Sequence, residues 1–154
     1  MTERGIAPVL GVVLLVVIVI VLAGTVAIFL LTDTANSGTP QAAIEATVEA
    51  ESGEFRFIHT GGDSIHVAEL TIEVTIDGVA LTHQPAVPFV GATGFSGSPS
   101  GPFNSAGSTT WHPGEHASFR VAATNEPPIT TGSEIEIVFR VDESPVAILE
   151  VTAV

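Results

Sequence analysis

An uncharged, apolar run from Ile6 to Leu31 constrains this chain more than any other feature of its sequence. These 26 residues would form a helix of about 39 Å at about 1.5 Å per residue, longer than the roughly 30 Å hydrocarbon core of a bilayer. Valine and isoleucine are frequent in the run, but a lone strand in lipid would leave its backbone groups unpaired. The run therefore predicts a membrane-spanning helix, whose first turn tolerates Pro8.

A secretory signal peptide is the main alternative, because it also begins with a short charged segment and an apolar run. The run here is longer than the roughly 7–15 residues typical of such peptides, and no clear small-x-small cleavage site closes it before the polar linker. Arg4 is the basic residue that flanks the run, and Asp33 lies beyond its far end. This distribution of charge predicts a cytoplasmic N-terminus and a C-terminal part outside the membrane.

The residues at the start of the run are Arg4 and Gly5, followed by IAPVLG at residues 6–11. They resemble the N-terminus of archaeal type IV pilins, and the halophile branch most closely. The sequence of residues 57–65 is similar to the strand and turn that follow the linker in this family. The resemblance implies a class III signal peptide that a prepilin peptidase cuts between Gly5 and Ile6. It also implies self-assembly into a filament, with an assembly ATPase and a membrane platform as partners.

Four segments are predicted along the chain: a leader at residues 1–5, a helix at residues 6–31, a linker at residues 32–41 and a domain at residues 42–154. The linker prediction rests on small polar residues together with glycine and proline. The last segment, about 113 residues long, corresponds to one ordinary domain that can bury its own core.

The chain carries 17 acidic residues against four arginines and no lysine, for a formal net charge of −13. Nucleic acid is therefore excluded as a partner, because binding it requires a basic surface. Self-repulsion of this size is best tolerated at high salt, where the Debye length falls to about 3 Å at 1 M. The absence of lysine favours a halophilic source over an ordinary acidic surface protein. With no cysteine in the chain, disulfide and thiolate chemistry are also excluded.

Alternation of apolar and polar residues predicts about seven short antiparallel strands after the linker, although the first segment has a helix as its alternative. Turns are predicted at residues 52–53, 61–63 and 77–78, where glycine supplies the required backbone conformation. The pattern and the resemblance together favour an all-β, immunoglobulin-like antiparallel sandwich, with a small barrel as the alternative. The strands are predicted at residues 43–50, 54–60, 67–76, 79–81, 117–121, 135–141 and 146–154.

Residues 82–114 have no regular periodicity and are rich in proline, glycine and serine, with a short edge strand predicted near residues 87–90. A segment of this length without regular structure is usually functional or mobile. Its aromatic residues either stand exposed, where they would stack on sugars or apolar surfaces during adhesion, or fold back over an edge of the sandwich. These residues are Phe89, Phe95, Phe103 and Trp111.

His112 and His116 have the spacing of some metal ligands, but Pro113 and Gly114 prevent the helix that would place both imidazoles on one face. We interpret them as surface or turn histidines, with a metal site as the alternative. The sequence contains no phosphate-binding loop, nucleophile elbow or zinc-binding helix motif. We therefore expect a protein without enzymatic activity, cofactor or metal.

The predicted function is that of a structural subunit of an adhesive cell-surface pilus, made as a membrane-bound precursor and polymerised through its helix. An apolar helix that leaves lipid must avoid water, at about 0.8 kcal/mol per exposed CH₂, and packing among copies of itself achieves this. The alternative function is a membrane-anchored extracellular binding module that does not polymerise. Candidate positions for helix packing, unless they merely face lipid, are Pro8, Gly11, Ala23, Gly24 and Ala27.

Overall fold

The computed structural model describes residues 6–35 and 40–154 of the chain. These residues form two compact units, a single helix and a β domain.

Helix α1 spans Ile6–Ala35, 30 residues in all. It begins where the apolar run begins, as predicted, but extends four residues beyond the predicted end at Leu31. Residues 32–35 contain neither proline nor glycine, so nothing in the sequence stops a helix that is already propagating. Within α1, the 19 residues Pro8–Val26 are long and apolar enough to cross a membrane, and all of their side chains are exposed.

The β domain contains nine strands in residues 40–154, and every ladder between named strands is antiparallel. One sheet has the order β1-β2-β7, a second has the order β5-β4-β8-β9, and β3 pairs with β6. The predicted sandwich is confirmed, since the seven predicted strands are present and β3 and β6 add two short ones. The strands are β1 Ala42–Glu49, β2 Glu54–Gly62, β3 Ile65–His66, β4 Leu70–Ile76, β5 Val79–Ala80, β6 Thr110–Trp111, β7 His116–Arg120, β8 Glu134–Val141 and β9 Ser144–Thr152.

The core of the sandwich consists of the inward-facing residues, which alternate with outward-facing ones along each strand. Phe57 of β2 lies at its centre, with ring centroids 5.5 Å from Phe119 of β7 and 5.3 Å from Phe139 of β8. All three rings are buried. Because aromatic side chains bury large areas and pack edge to face, this cluster fixes the two main sheets against each other.

The turn predicted at residues 61–63 is wrong in its position. Gly61 and Gly62 are the last residues of β2 and pair with Ala43 and Ala42 of β1. Gly62 has a φ of 100°, and a side chain there would collide with the carbonyl oxygen of Gln41. Glycine is therefore required at this position for a close approach of two strands, and the chain turns only after it.

The start predicted for the third strand also differs from the structure. Residues 67–69 form a turn of 3₁₀ helix, and β4 begins at Leu70. Leu70, Ile72, Val74 and Ile76 are buried, at the alternate positions that the predicted strand requires for one inward face. The alternation thus identified the buried face of the strand but not the turn that precedes it.

The edges of the two main sheets meet near Val154. The backbone N–H of Ala50 donates to the carbonyl oxygen of Val154 at 2.8 Å, and the N–H of Val154 donates to Val48 at 3.0 Å. These bonds connect the end of β1 to the residues after β9 and so close one side of the sandwich.

Candidate functional site

The exposed surface of α1 is the first candidate site. Gly11 and Gly24 face open space, since a Cβ built on either would have no atom within 4 Å. At about 100° per residue, the positions of Ala23, Gly24 and Ala27 fall within about 100° of the helix circumference, whereas Gly11 lies roughly opposite. The predicted packing residues therefore form two surfaces, one near each end of the apolar stretch, and their role in packing stays a prediction.

The predicted cleavage site lies at the N-terminal boundary of this helix. Arg4 and Gly5 are outside the described residues, and Ile6 is the first residue of α1. Cleavage between Gly5 and Ile6 would leave the helix intact, and it also stays a prediction.

The aromatic residues of the irregular segment are buried, so the prediction that they stand exposed for adhesion is wrong. Phe103 and Trp111 have no exposed surface, and Phe89 and Phe95 expose less than a tenth of theirs. Phe103 packs against Trp111 with a centroid distance of 5.1 Å, and Phe95 packs edge-on to Phe119 at 5.6 Å. This burial confirms the alternative, in which the segment folds back over the sandwich. The arrangement is favourable because it removes large apolar areas from water.

Backbone hydrogen bonds attach the same segment to the free edge of β7. Ser96 donates to the carbonyl oxygen of Arg120 at 2.8 Å, and Ser100 donates to Ser118 at 2.9 Å. The predicted strand near residues 87–90 is reduced to a single bridge between Phe89 and Asn104. The segment therefore replaces a regular edge strand and satisfies backbone groups of β7 that would otherwise be unpaired.

Two side-chain amides hold the beginning of this segment, and sequence reasoning missed both. Asn125, which is 1% exposed, donates to the carbonyl oxygens of His83 and Gly94 and accepts from the N–H of His83. Gln84 accepts from the N–H of Val74 at 2.7 Å and donates to its carbonyl oxygen at 2.9 Å. The Gln84 amide thus imitates a neighbouring strand beyond the short β5.

The histidines occupy separate environments. His112 lies 2.8 Å from the hydroxyl of Ser64 through its Nδ1 atom, and its backbone N–H donates to the carboxylate of Glu115. His59 is fully buried against Trp111, and among the described residues neither of its ring nitrogens has a hydrogen-bond partner. His112 and His116 both remain on the surface, as interpreted from the sequence.

An arginine and glutamate network lies on the outer side of the β1-β2-β7 sheet. Arg56 donates to the Glu54 carboxylate at 2.6 Å, and Arg120 lies 4.0 Å from the same carboxylate. The hydrogen bond to Glu54, together with its charge, raises the pKa of Arg56. Sequence reasoning missed this cluster because Arg120 reaches Glu54 only through the pairing of β2 with β7.

Two comparisons relate this chain to known proteins. Residues 4–44 match the family model for the N-terminal domain of archaeal type IV pilins. An uncharacterized protein of Archaeoglobus fulgidus is 31% identical over 80 residues, which are 51% of this chain and 55% of that protein. The chain thus spans about half the length of this curated relative. The resemblance of Arg4, Gly5 and the apolar run to archaeal type IV pilins is confirmed, and the likeness to the halophile branch stays a prediction.

Proposed function

We propose that this chain, which carries the N-terminal domain of archaeal type IV pilins, is the structural subunit of an archaeal type IV pilus. In this function the precursor is anchored in the membrane by α1, trimmed by a prepilin peptidase between Gly5 and Ile6, and polymerised through the helix. An assembly ATPase and a membrane platform are the further partners, and attachment of cells to surfaces is the role. The protein is a structural component and not an enzyme.

The observation that carries this proposal is the combination of a matched pilin N-terminus with a helix that is apolar on every side. All side chains from Pro8 to Val26 are exposed, including large ones such as Leu14 and Ile20. A helix that is apolar all round requires an apolar environment, either lipid or other helices. A pilus supplies both in turn: lipid for the precursor, and neighbouring copies of the helix for the assembled subunit.

The test is the mass of the mature N-terminus in cells that make the chain. We expect a polypeptide that begins at Ile6, found in filaments on the cell surface. Gly5→Leu should accumulate as uncleaved precursor and form no filaments, because a bulky residue occupies the position before the cut. Gly11→Leu is the matched control: it makes the same change beyond the cut and should still be cleaved.

Two results would overturn the proposal. One is a chain that keeps its first five residues in its functional form, which would indicate an anchored binding module that does not polymerise. The other is normal filament formation by the Gly5→Leu variant without cleavage.

A further inference from the structure

We propose that Ser64 is an acceptor for covalent acylation, with His112 as the base that activates its hydroxyl. The Oγ atom of Ser64 lies 2.8 Å from the Nδ1 atom of His112, and both residues are exposed. A serine hydroxyl is a weak nucleophile by itself, and an adjacent general base activates it. This modification goes beyond the proposed function, since it concerns the β domain and not the helix.

The pairing of two short strands brings Ser64 and His112 together. Ser64 directly precedes β3, and His112 directly follows β6. Ile65 lies opposite Trp111 in this antiparallel pair, so the residues next to them come within hydrogen-bond distance of each other. Because Ile65 and Trp111 have no exposed surface, the core of the domain fixes the position of the exposed pair.

A tight turn holds the backbone of His112. Its N–H donates to the Glu115 carboxylate at 2.8 Å, and its carbonyl oxygen accepts from the N–H of Glu115 at 3.1 Å. The Nε1 atom of Trp111 donates to the carbonyl oxygen of Glu115 at 3.0 Å, which connects the turn to the core. The imidazole is therefore in place beside Ser64 before a reagent binds, and such preorganisation lowers the entropic cost of a reaction.

The acylation moves one proton and transfers one acyl group. A neutral imidazole has one accepting nitrogen, and Nδ1 of His112 accepts from Ser64 when Nε2 carries the proton. The Oγ atom of Ser64 attacks the carbonyl carbon of an activated ester or thioester, and a bond forms between these two atoms. The bond from that carbon to the leaving oxygen or sulfur breaks. The hydroxyl proton passes to Nδ1 and then to the leaving group, so the products are an ester of Ser64 and a free alcohol or thiol.

We expect a single slow acylation of each chain and no turnover. In serine hydrolases a carboxylate bound to the second nitrogen of the imidazole stabilises the imidazolium that forms. In this chain the Glu115 carboxylate binds the backbone N–H of His112, and within residues 40–154 no side chain is hydrogen-bonded to Nε2. The domain would therefore be modified without acting as an enzyme.

A surface depression beside the pair can accommodate a short acyl chain. Its volume is about 490 Å³, and Glu115, from the same turn as His112, is part of its lining. Pro102 and Ala106 also line it and provide apolar surface. An acyl group bound to Ser64 could therefore bury some of its carbon atoms there.

The experiment treats the full chain in non-ionic detergent with para-nitrophenyl acetate and, separately, with a fluorophosphonate probe, which loses fluoride as it bonds to an activated serine. Few other groups compete, because the chain contains no lysine and no cysteine. We expect about one equivalent of para-nitrophenol per chain, as for a single covalent intermediate that persists. With either reagent, the peptide that contains Ser64 should increase in mass.

Ser64→Ala should abolish this labelling, and His112→Gln should slow it by about 100-fold, because an amide can hydrogen-bond Ser64 but takes no proton. Ser98→Ala and His66→Gln are the matched controls: each removes another exposed residue of the same type and should react like the natural chain. All four residues are exposed, so each variant is expected to fold, and the fluorescence of Trp111 checks this.

A further control needs no substitution. Unfolding of the natural chain in guanidinium chloride should reduce the labelling of Ser64 to that of Ser98, because the contact with His112 exists only in the folded domain. Three results would overturn the inference: no label on Ser64 in the folded chain, undiminished labelling of Ser64 in His112→Gln, or equal labelling of Ser64 and Ser98. The proposed function is judged separately, from cleavage and filament formation.

Discussion

Asn125 shows how a single buried side chain organises a long irregular segment. Its amide bonds His83 on one side and Gly94 on the other, so that two distant points of residues 82–114 are fixed to the connection between β7 and β8. Gly94 must be a glycine here, because a Cβ would lie 2.6 Å from the Cβ of His83 and 2.8 Å from the Asn125 amide nitrogen. Asn125 therefore fixes Gly94 next to Phe95, whose ring packs against Phe89.

Asn125→Asp should destabilise the β domain by about 2–4 kcal/mol, because it exchanges a donor amide for a buried carboxylate beside two carbonyl oxygens. Asn104→Asp is the matched control: Asn104 is half-buried and donates one hydrogen bond, to Pro99, so about 1 kcal/mol is expected. The measurement is denaturant unfolding in non-ionic detergent, followed by the fluorescence of Trp111, the one tryptophan of the chain. Equal losses for the two variants would contradict the role given to Asn125.

At the scale of elements, two hairpins have the same turn geometry but different sequences. Asp77 and Gly78 connect β4 to β5 with φ angles of 49° and 79°, and Asp142 and Glu143 connect β8 to β9 with 48° and 66°. Positive φ at both central residues is the type I′ turn, which favours glycine at the second position. Glu143 therefore holds an unfavourable conformation that Gly78 adopts freely.

Glu143→Gly should stabilise the β domain by about 1 kcal/mol, and Gly78→Ala should destabilise it by a similar amount. Gly78 is a fair comparison, because a Cβ there meets no atom within 4 Å and only its φ is unfavourable. Glu143→Gln separates conformation from charge, since it removes the charge and keeps the positive φ. A gain for Glu143→Gln as large as that for Glu143→Gly would assign the effect to charge and refute the conformational explanation.

Much of the element scale could be predicted from the sequence, because alternation directly reports a strand with one buried face. The strands β2, β4 and β8 were predicted in this way and do bury alternate residues, and the turn at residues 77–78 followed from its residue types. The tertiary contacts were beyond such reasoning. Arg120 meets Glu54, and Asn125 meets His83, only after distant strands have paired, and no local pattern encodes their register.

The sequence also could not predict whether the aromatic side chains in the segment 82–114 are exposed or buried. A segment rich in proline and glycine has no periodicity that distinguishes an exposed ring from a buried one. Phe103 is buried because the segment before it is hydrogen-bonded to the edge of β7, and Trp111 because β6 pairs with β3. The composition of the apolar run, in contrast, was sufficient to predict α1, since its length and hydrophobicity leave no other structure in a membrane.

At the scale of the whole molecule, the net charge of the β domain affects its stability. Its 15 acidic residues and three arginines leave a formal charge of −12, obtained as three minus fifteen for residues 40–154. Repulsion among exposed carboxylates acts over about 10 Å at 0.1 M salt but only about 3 Å at 1 M. The compact state is therefore expected to gain stability as salt is added.

The midpoint of thermal unfolding should rise by about 5–10 °C between about 0.1 M and about 1 M potassium chloride, corresponding to about 1–2 kcal/mol. The fluorescence of Trp111 in non-ionic detergent again provides the measurement. Glu136→Gln with Glu150→Gln should be more stable than the natural chain at low salt and should gain less from added salt, because a facing pair of like charges is removed. A midpoint that is constant or falls with salt would contradict this account.

The hydrogen bonds between β1 and Val154 can form only near the end of synthesis of the chain. Val48 and Ala50 leave the ribosome early, but their partner Val154 follows more than one hundred residues later. Likewise, β2 cannot pair with β7, nor β4 with β8, until the later strand has been synthesised. Contacts so distant along the chain form slowly and only after long loops have closed. Synthesis of α1 is therefore complete long before the sandwich can form, and in the proposed function each nascent domain folds while α1 holds it at the bilayer.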